Sequence, residues 1–95
     1  MKLIPSQLEF NWDDGNFNKN LDRHNVSTKE AEQLFFNTPL FLYDLPFTSE
    51  KRYKALGRSN ANRKLLAIFT LRNGKIRIIS IRDMSRKERN EYERA

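Results

Sequence analysis

Residues 64–82, which read KLLAIFTLRNGKIRIISIR, decide the fold of this chain. Asn73 and Gly74 separate two apolar runs, and this dipeptide in that setting is a strong signal for a tight β-hairpin. The first run is apolar on both faces, which predicts a central and largely buried strand. The second run, residues 75–82, contains four isoleucines and is predicted to be its antiparallel partner. A β-hairpin is therefore the centre of the predicted fold.

Strict alternation assigns the side chains of the predicted strands to two faces. In the last strand it groups Ile76, Ile78, Ser80 and Arg82 on one face, and Arg77, Ile79 and Ile81 on the other. In a strand predicted over residues 51–58 it groups Arg52, Lys54, Leu56 and Arg58, opposite Tyr53, Ala55 and Gly57. If Arg77 or Arg82 shares the side of Arg52, several cations meet on one sheet surface. Such a surface suits phosphate, because a guanidinium can donate to two phosphate oxygens at once.

The segment before these strands predicts a short strand and a first helix. Residues 8–12 alternate between apolar and polar side chains, as a half-buried strand does. Over residues 13–25, Phe17, Leu21 and His24 follow at helical spacing and form one stripe. A helix-end histidine that packs at the edge of the core is the structural interpretation of His24. A general acid or base is the functional one.

Two further helices are indicated by their caps. Ser27 and Glu30 have the spacing of a capping box, and Pro39 ends the helix that they open. Ser85 and Glu88 repeat that spacing before a strongly charged last helix over residues 86–94. With a strand over residues 40–45, the prediction is an α+β fold: a helix pair on one face of a mostly antiparallel, four- to five-stranded sheet, with a C-terminal helix. The other face of the sheet is expected to be open.

Length and composition narrow the class of protein. The 95 residues suit a single domain over residues 1–95. No cysteine is present, so disulfides and thiolate metal sites are excluded, and we expect neither a metal nor a cofactor. No apolar run approaches the roughly 20 residues that span a bilayer, and no signal peptide is apparent. We therefore expect a cytoplasmic protein with no membrane partner.

Charge is distributed unevenly along the chain, whose net charge is +6. Residues 1–50 carry four Lys/Arg against eight Asp/Glu, whereas residues 51–95 carry fourteen against four. Between residues 51 and 82 there are ten basic side chains and no acidic one. A field of one sign attracts a polyanion, most often nucleic acid. The alternative is a solvated face that only keeps the protein in solution.

RNA cleavage without a metal needs only a few functional groups, and this sequence can supply them. A base removes the 2′-hydroxyl proton, cations stabilise the phosphoryl oxygens, and an acid protonates the leaving oxygen. Glu50 can either join such a site or pair with Arg52 across a loop, and Tyr92 can lie at the site or only anchor its helix. We expect RNA to be bound by Lys51, Lys54, Arg58 and Lys75.

The order of short motifs resembles that of BrnT-type toxins over about residues 9 to 93. The opening of the chain matches in Phe10-x-Trp12-Asp13, Asn20-x-x-Arg23-His24-Asn25-Val26-Ser27 and Glu30-Ala31. The remainder matches in Phe35-Phe36, Asp44, Glu50-x-Arg52-Tyr53, Leu56-Gly57-Arg58-Ser59, Phe69-Thr70, Arg77-Ile78-Ile79-Ser80-x-Arg82 and Glu88-Arg89-x-x-Tyr92-Glu93. The family usually has Lys before the histidine and Gly after it, where this chain has Arg23 and Asn25. It often has Lys near position 17, where this chain has Phe17.

This resemblance implies a RelE-like fold and a type II toxin whose ribonuclease activity arrests translation. It also implies a BrnA-type antitoxin, through which alone the complex would contact operator DNA. The matching positions of catalytic interest are Arg52, Arg77, Arg82, Tyr92, His24 and Glu50. The alternatives are a nucleic-acid-binding module without catalysis and an interaction module whose basic surface only receives an acidic partner.

Overall fold

A computed structural model describes residues 8–13, 15–16, 24–43 and 51–95 of the chain. Its elements are, in order, α1 (Thr28–Leu34), β1 (Leu40–Tyr43), β2 (Tyr53–Arg58), β3 (Lys64–Arg72), β4 (Lys75–Asp83) and α2 (Arg86–Arg94). This is the predicted α+β class, with the predicted C-terminal helix. Most of the first predicted helix lies outside the described residues, so the helix pair stays a prediction.

The four strands form one antiparallel sheet in the order β1-β2-β3-β4. Each strand pairs with its neighbour in sequence, because short connections favour adjacent antiparallel strands. The β3–β4 turn has φ values of 52° at Asn73 and 77° at Gly74. A two-residue hairpin turn of type I′ needs positive φ at both positions, and Asn-Gly accepts it at little cost. The predicted hairpin and the interior position of β3 are confirmed.

The segment before α1 extends this sheet at the free edge of β4. Phe10 forms a parallel bridge with Ile76. The backbone N–H of Ile76 donates to the carbonyl of Glu9, and that of Asn11 donates to the carbonyl of Ile76, both at 2.8 Å. The short strand predicted over residues 8–12 is therefore reduced to one bridge, and its parallel direction fits a mostly antiparallel sheet.

A β-bulge in β4 makes the predicted face assignment of that strand wrong. Ile68 pairs with Ser80 but Phe69 pairs with Ile78, so Ile79 is inserted between two paired residues. The extra residue shifts the alternation by one position. As a result Ile76, Ile78 and Ile81 are all fully buried on one side of the sheet. The side chains that were predicted on different faces, Arg77 and Arg82, instead share the opposite side.

The sheet carries apolar clusters on both of its faces. The larger cluster packs α1 and residues 8–12 against one face of the sheet. Its buried members include Leu34, Phe35, Phe69, Ile76 and Ile81. Phe35 and Phe69 meet edge to face with ring centroids 5.1 Å apart. The smaller cluster, on the other face, packs Met84 and Tyr92 against Leu56 and Leu66. The expectation that this second face is entirely open is wrong, because α2 covers one end of it.

Both predicted helix caps are present, but only one is a complete capping box. The hydroxyl of Ser27 accepts from the backbone N–H of Glu30. The carboxylate of Glu30 does not return to Ser27, because it accepts from Arg63 Nη1 at 3.2 Å. In α2, Ser85 and Glu88 make both bonds of the box. Neither helix in the described part of the chain has the length and apolar character needed to cross a membrane.

Helix α1 lies unusually close to β2 at Gly57. A Cβ added at Gly57 would come within 2.9 Å of Leu34 Cγ and 3.2 Å of the Leu34 carbonyl oxygen. Leu34 is itself fully buried, so it has little room to move. Glycine at this position therefore sets the distance between the helix and the sheet.

We expect Gly57→Ala to lower the free energy of unfolding by about 1–3 kcal/mol, the usual cost of overpacking a core. Denaturant unfolding measures the effect. The control is Gly74→Asn, because nothing lies within 4 Å of that position and Asn tolerates its positive φ. Equal stability of Gly57→Ala and the wild type would show that α1 does not pack on β2 this closely.

Candidate functional site

The surface of the sheet opposite α1 collects cationic side chains, and we call it the basic face. The register of the strands, continued one residue before β2, assigns to it Arg52, Lys54, Arg58, Lys64, Arg72, Lys75, Arg77 and Arg82. Arg77 lies across from Thr70, and Arg82 lies across from Leu66. The bulge at Ile79 is what brings these two arginines to the same face as the cations of β2.

Arg82 is held by the first turn of α2. Its Nη1 and Nη2 atoms donate to the two carboxylate oxygens of Glu88 at 2.8 and 3.0 Å. This hydrogen bonding is the main reason that the pKa of Glu88 falls to about 2 and that the pKa of Arg82 rises. Glu88 is therefore ionised at neutral pH and is a poor general base. Its carboxylate occupies the position that a phosphate with two free oxygens would take on the same guanidinium.

Arg77 is held by the segment that precedes α1. Its Nη1 donates to Asn11 Oδ1 at 2.7 Å and to Asp13 Oδ2 at 2.9 Å, and its Nη2 donates to Asp13 Oδ1 at 3.0 Å. The arginine holds the pKa of the Asp13 carboxyl below its usual value. Buried Asn16 fixes this segment in turn, since its amide donates to the carbonyls of Asn11 and Ile78. Arg77 is thus tied to the edge of the sheet.

Other cations of the basic face have no such partner. Within the described ranges, no carboxylate forms an ion pair with Arg52, Lys54, Arg58 or Lys64. The Nε atom of Arg52 is buried and has no hydrogen-bond partner among the residues that the structure describes. A buried donor without an acceptor costs about 1–3 kcal/mol, so it is rarely kept without a reason. This face therefore offers unneutralised donors to an anionic ligand.

Tyr92 and Arg58 lie together at the end of the sheet that α2 covers. They line a groove with Leu40 and Lys64. The ring of Tyr92 is half-buried and packs with Leu56 and Leu66, which is the anchoring role that the sequence left open. In the described structure Tyr92 forms no hydrogen bond with Arg77 or Arg52.

His24 lies at a different corner of the molecule, together with Arg63. The backbone carbonyl of His24 accepts from Arg63 Nη2 at 3.1 Å. Arg63 also binds Asp83 through two bonds of 2.7 and 3.0 Å, and it pairs with Glu30. Because Asp83 follows Arg82 in β4, it faces the side of the sheet that bears α1. The structure therefore does not bring the His24 backbone together with Arg77 and Arg82.

The remaining predicted residues are less informative. Glu50 lies outside the described residues. Lys51 is exposed just before β2, and its carbonyl accepts from Thr70 Oγ1 at 2.7 Å. Lys75 is 4.0 Å from Glu9, a distance that makes a weak pair. In the described ranges, no three His, Asp or Glu residues are close enough to hold a metal ion.

Sequence reasoning missed the residues that hold the predicted arginines: Asn11, Asp13 and Glu88. Asp13 and Glu88 both stand in the motifs that carry the family resemblance, so a signal was present. It also missed Arg63, whose partners are 20 to 39 residues away in sequence. No local sequence pattern predicts contacts between residues so far apart in the chain.

The fold and this surface together define a small α+β domain whose sheet presents cations on one face. A family model described as "Ribonuclease toxin, BrnT, of type II toxin-antitoxin system" matches residues 12–88. The chain belongs to this family of ribonuclease toxins, and the family resemblance seen in the sequence is confirmed. A comparison with curated proteins gave no match. Membership implies that an antitoxin protein is its partner.

The Arg82–Glu88 pair predicts a pH dependence of stability. A lowered pKa in the folded state stabilises the protein above the ordinary pKa of 4.5, and this contribution is lost as the pH falls through about 2. We expect the wild type to lose more stability between pH 5 and 2 than Glu88→Gln, which keeps the cap but not the charge. Thermal unfolding across that range measures the difference.

Glu91→Gln is the control for this experiment, because Glu91 is exposed on the same helix and forms no ion pair with any described residue. It should follow the wild-type curve. Parallel curves for Glu88→Gln and the wild type would contradict the pairing.

Proposed function

We propose that this chain is a metal-independent endoribonuclease that cleaves RNA on the basic face of its sheet and thereby arrests translation. The observation that supports it best is the bulge in β4, which gathers Arg77 and Arg82 on the face that carries Arg52 and Lys54. The basic face agrees with an RNA substrate, and a RelE-like fold with action in the cytoplasm is part of the same proposal.

The reaction is an attack of a 2′-hydroxyl oxygen on the adjacent phosphorus, which forms a cyclic phosphate and releases the 5′ oxygen of the next nucleotide. Negative charge builds on the non-bridging oxygens, so fixed cations lower the barrier. DNA lacks the 2′-hydroxyl and cannot react in this way. The basic face can supply charge stabilisation through guanidinium groups alone.

Arg82 and Arg52 are the groups that we assign to the reacting phosphate. On Arg82, two phosphate oxygens replace the two carboxylate oxygens of Glu88, since both anions fit a planar fork. Arg52 contributes a half-buried guanidinium that no carboxylate neutralises in the described ranges. Arg77 is fixed by Asp13 and Asn11, so it adds positive potential from the edge of the sheet. Lys54 is well placed to bind a neighbouring phosphate.

Few residues are candidates for the general acid and the general base of this reaction. Glu88 is a poor base, because its pKa of about 2 leaves it little affinity for a proton. Tyr92 stays a predicted candidate, and so does Glu50, which lies outside the described residues. His24 is less favoured, because its backbone carbonyl accepts from Arg63, which binds Asp83 on the other side of the sheet.

The proposed partner is a BrnA-type antitoxin with an acidic segment that covers the basic face or displaces α2. Charge complementarity would speed its association and select it over other partners. Helix α2 has no buried residue and is held mainly by Met84, Tyr92 and the Arg82–Glu88 pair, so it can be displaced at modest cost. Contact with operator DNA would come only through the antitoxin.

Arg82→Ala and Arg52→Ala test the proposal. We expect expression of the wild type without antitoxin to stop growth, and each variant to relieve this. For purified protein and a single-stranded RNA, we expect each to lower kcat by about 10²–10³, the usual loss when one donor to the developing charge is removed. Cleavage products on a gel report the rate, and unfolding curves confirm the fold.

Lys29→Ala is the control, because Lys29 is exposed on α1, on the other side of the sheet. It should cleave like the wild type. RNA binding by the wild type without any product would instead favour the non-catalytic alternative. Full activity of folded Arg82→Ala and Arg52→Ala would remove both from the mechanism.

A further inference from the structure

A groove lies beyond α2, at the end of the sheet away from Arg77. Its lining includes Thr38, Leu40, Arg58, Asn62, Lys64 and Tyr92, with Glu93 also present on the helix side. Apart from Tyr92, a candidate for the acid or the base, no residue that lines this groove enters the proposed cleavage step.

Two cations lie opposite each other at the groove, and no carboxylate of the described residues forms an ion pair with either. Arg58 and Lys64 are directly paired across β2 and β3. Like charges at such positions destabilise a sheet. By contrast, Arg77 and Arg82 in β4 and Arg63 in the β2–β3 connection each bind a carboxylate. In the part of the chain that the structure describes, Arg58 and Lys64 have no ion pair, although Glu93 lines the same groove.

The wall of the groove also contains strained backbone. Thr38 has a φ of 44° and precedes Pro39, and Asn62 has a φ of 64°. Asparagine tolerates this region, but a β-branched residue there is an outlier. Strain of this kind costs about 1–3 kcal/mol and clusters at functional sites. Repulsion and strain therefore meet in one groove.

We propose that this groove is a second phosphate-binding subsite, which holds the RNA strand one or more nucleotides away from the cleaved bond. The inference rests on the proposed function. Arg58 and Lys64 would share one phosphodiester, the guanidinium by two hydrogen bonds and the ammonium as a point charge. The half-buried ring of Tyr92 offers an adjacent surface for a base, and cations next to an aromatic ring are typical of single-strand binding.

Position along β2 links the groove to the basic face. Arg58 is four residues after Lys54 on the same side of the strand, a separation of about 13 Å at the rise of a β-strand. A single strand that crosses the face can reach both. An acidic protein segment is the competing occupant, and the aromatic ring beside the two cations favours RNA over it.

Lys64→Gln tests the subsite, with Lys29→Gln as the matched control. The probe is a mixed-sequence, single-stranded RNA of about twelve nucleotides, and its Kd is measured against salt concentration. Loss of one phosphate contact reduces the slope of log K against log salt by about 0.7. We expect this for Lys64→Gln only, with a higher KM and an unchanged kcat. Its unfolding temperature should not fall, because a repulsive pair is removed.

A slope and a KM for Lys64→Gln that equal those of Lys29→Gln would overturn the subsite. So would a variant that weakens the antitoxin complex while its RNA affinity stays at the wild-type value, since the groove would then receive protein. The salt slope does not depend on cleavage. A wild type that binds this RNA without cutting it would therefore refute the proposed function. The salt slopes of the two variants would still show whether the groove binds a phosphate.

Discussion

The one-residue bulge in β4 decides which side chains of that strand enter the core and which reach the basic face. With regular alternation, four isoleucines in residues 75–82 cannot all serve one core, and Arg77 and Arg82 fall on different faces. Inserting Ile79 lets Ile76, Ile78 and Ile81 enter the same core, where each is fully buried. Burial of side chains of this size contributes about 1.5–3 kcal/mol each, so the core stabilises the shift. The convergence of the two arginines on the basic face follows from it.

The carboxylates of the chain divide the cations into two groups. Asp13, Asp83 with Glu30, and Glu88 each hold one arginine, and each links a peripheral segment to the sheet. Such pairs are partly exposed and contribute little stability individually. Their effect is to fix geometry, since a forked pair sets the orientation of both groups. The cations left without a carboxylate are directly available to an anionic ligand, whereas at Arg82 the ligand has to replace Glu88.

Local signals in the sequence predicted most of the fold. The Asn73–Gly74 turn, the bounds of β3 and α2, and the caps at Ser27 and Ser85 were all confirmed, because each depends on residues a few positions apart. The faces of β2 were also correct, since that strand is regular. The face assignment of β4 failed, because a bulge is a tertiary event: the core of the whole domain, and not the strand itself, decides where it occurs.

The candidate site was harder to predict for the same reason. Sequence reasoning selected cations on the basic face, and the structure brings Arg52, Arg77 and Arg82 to it. It did not foresee that Asp13 and Glu88 would bind two of them, nor that Arg58 and Lys64 would face each other beside Tyr92. These relations depend on strand register and on the path of α2, which contributes no buried residue to the core.

Cross-strand nuclear Overhauser effects between β3 and β4 would report the bulge at Ile79 itself. In a two-dimensional or isotope-edited NMR spectrum, the account predicts backbone contacts that pair Ile68 with Ser80 and Phe69 with Ile78, and none that place Ile79 directly opposite a residue of β3. A continuous register that pairs Phe69 with Ile79 would contradict it. In that case Arg77 and Arg82 would return to opposite faces, and the basic face would lose one of them.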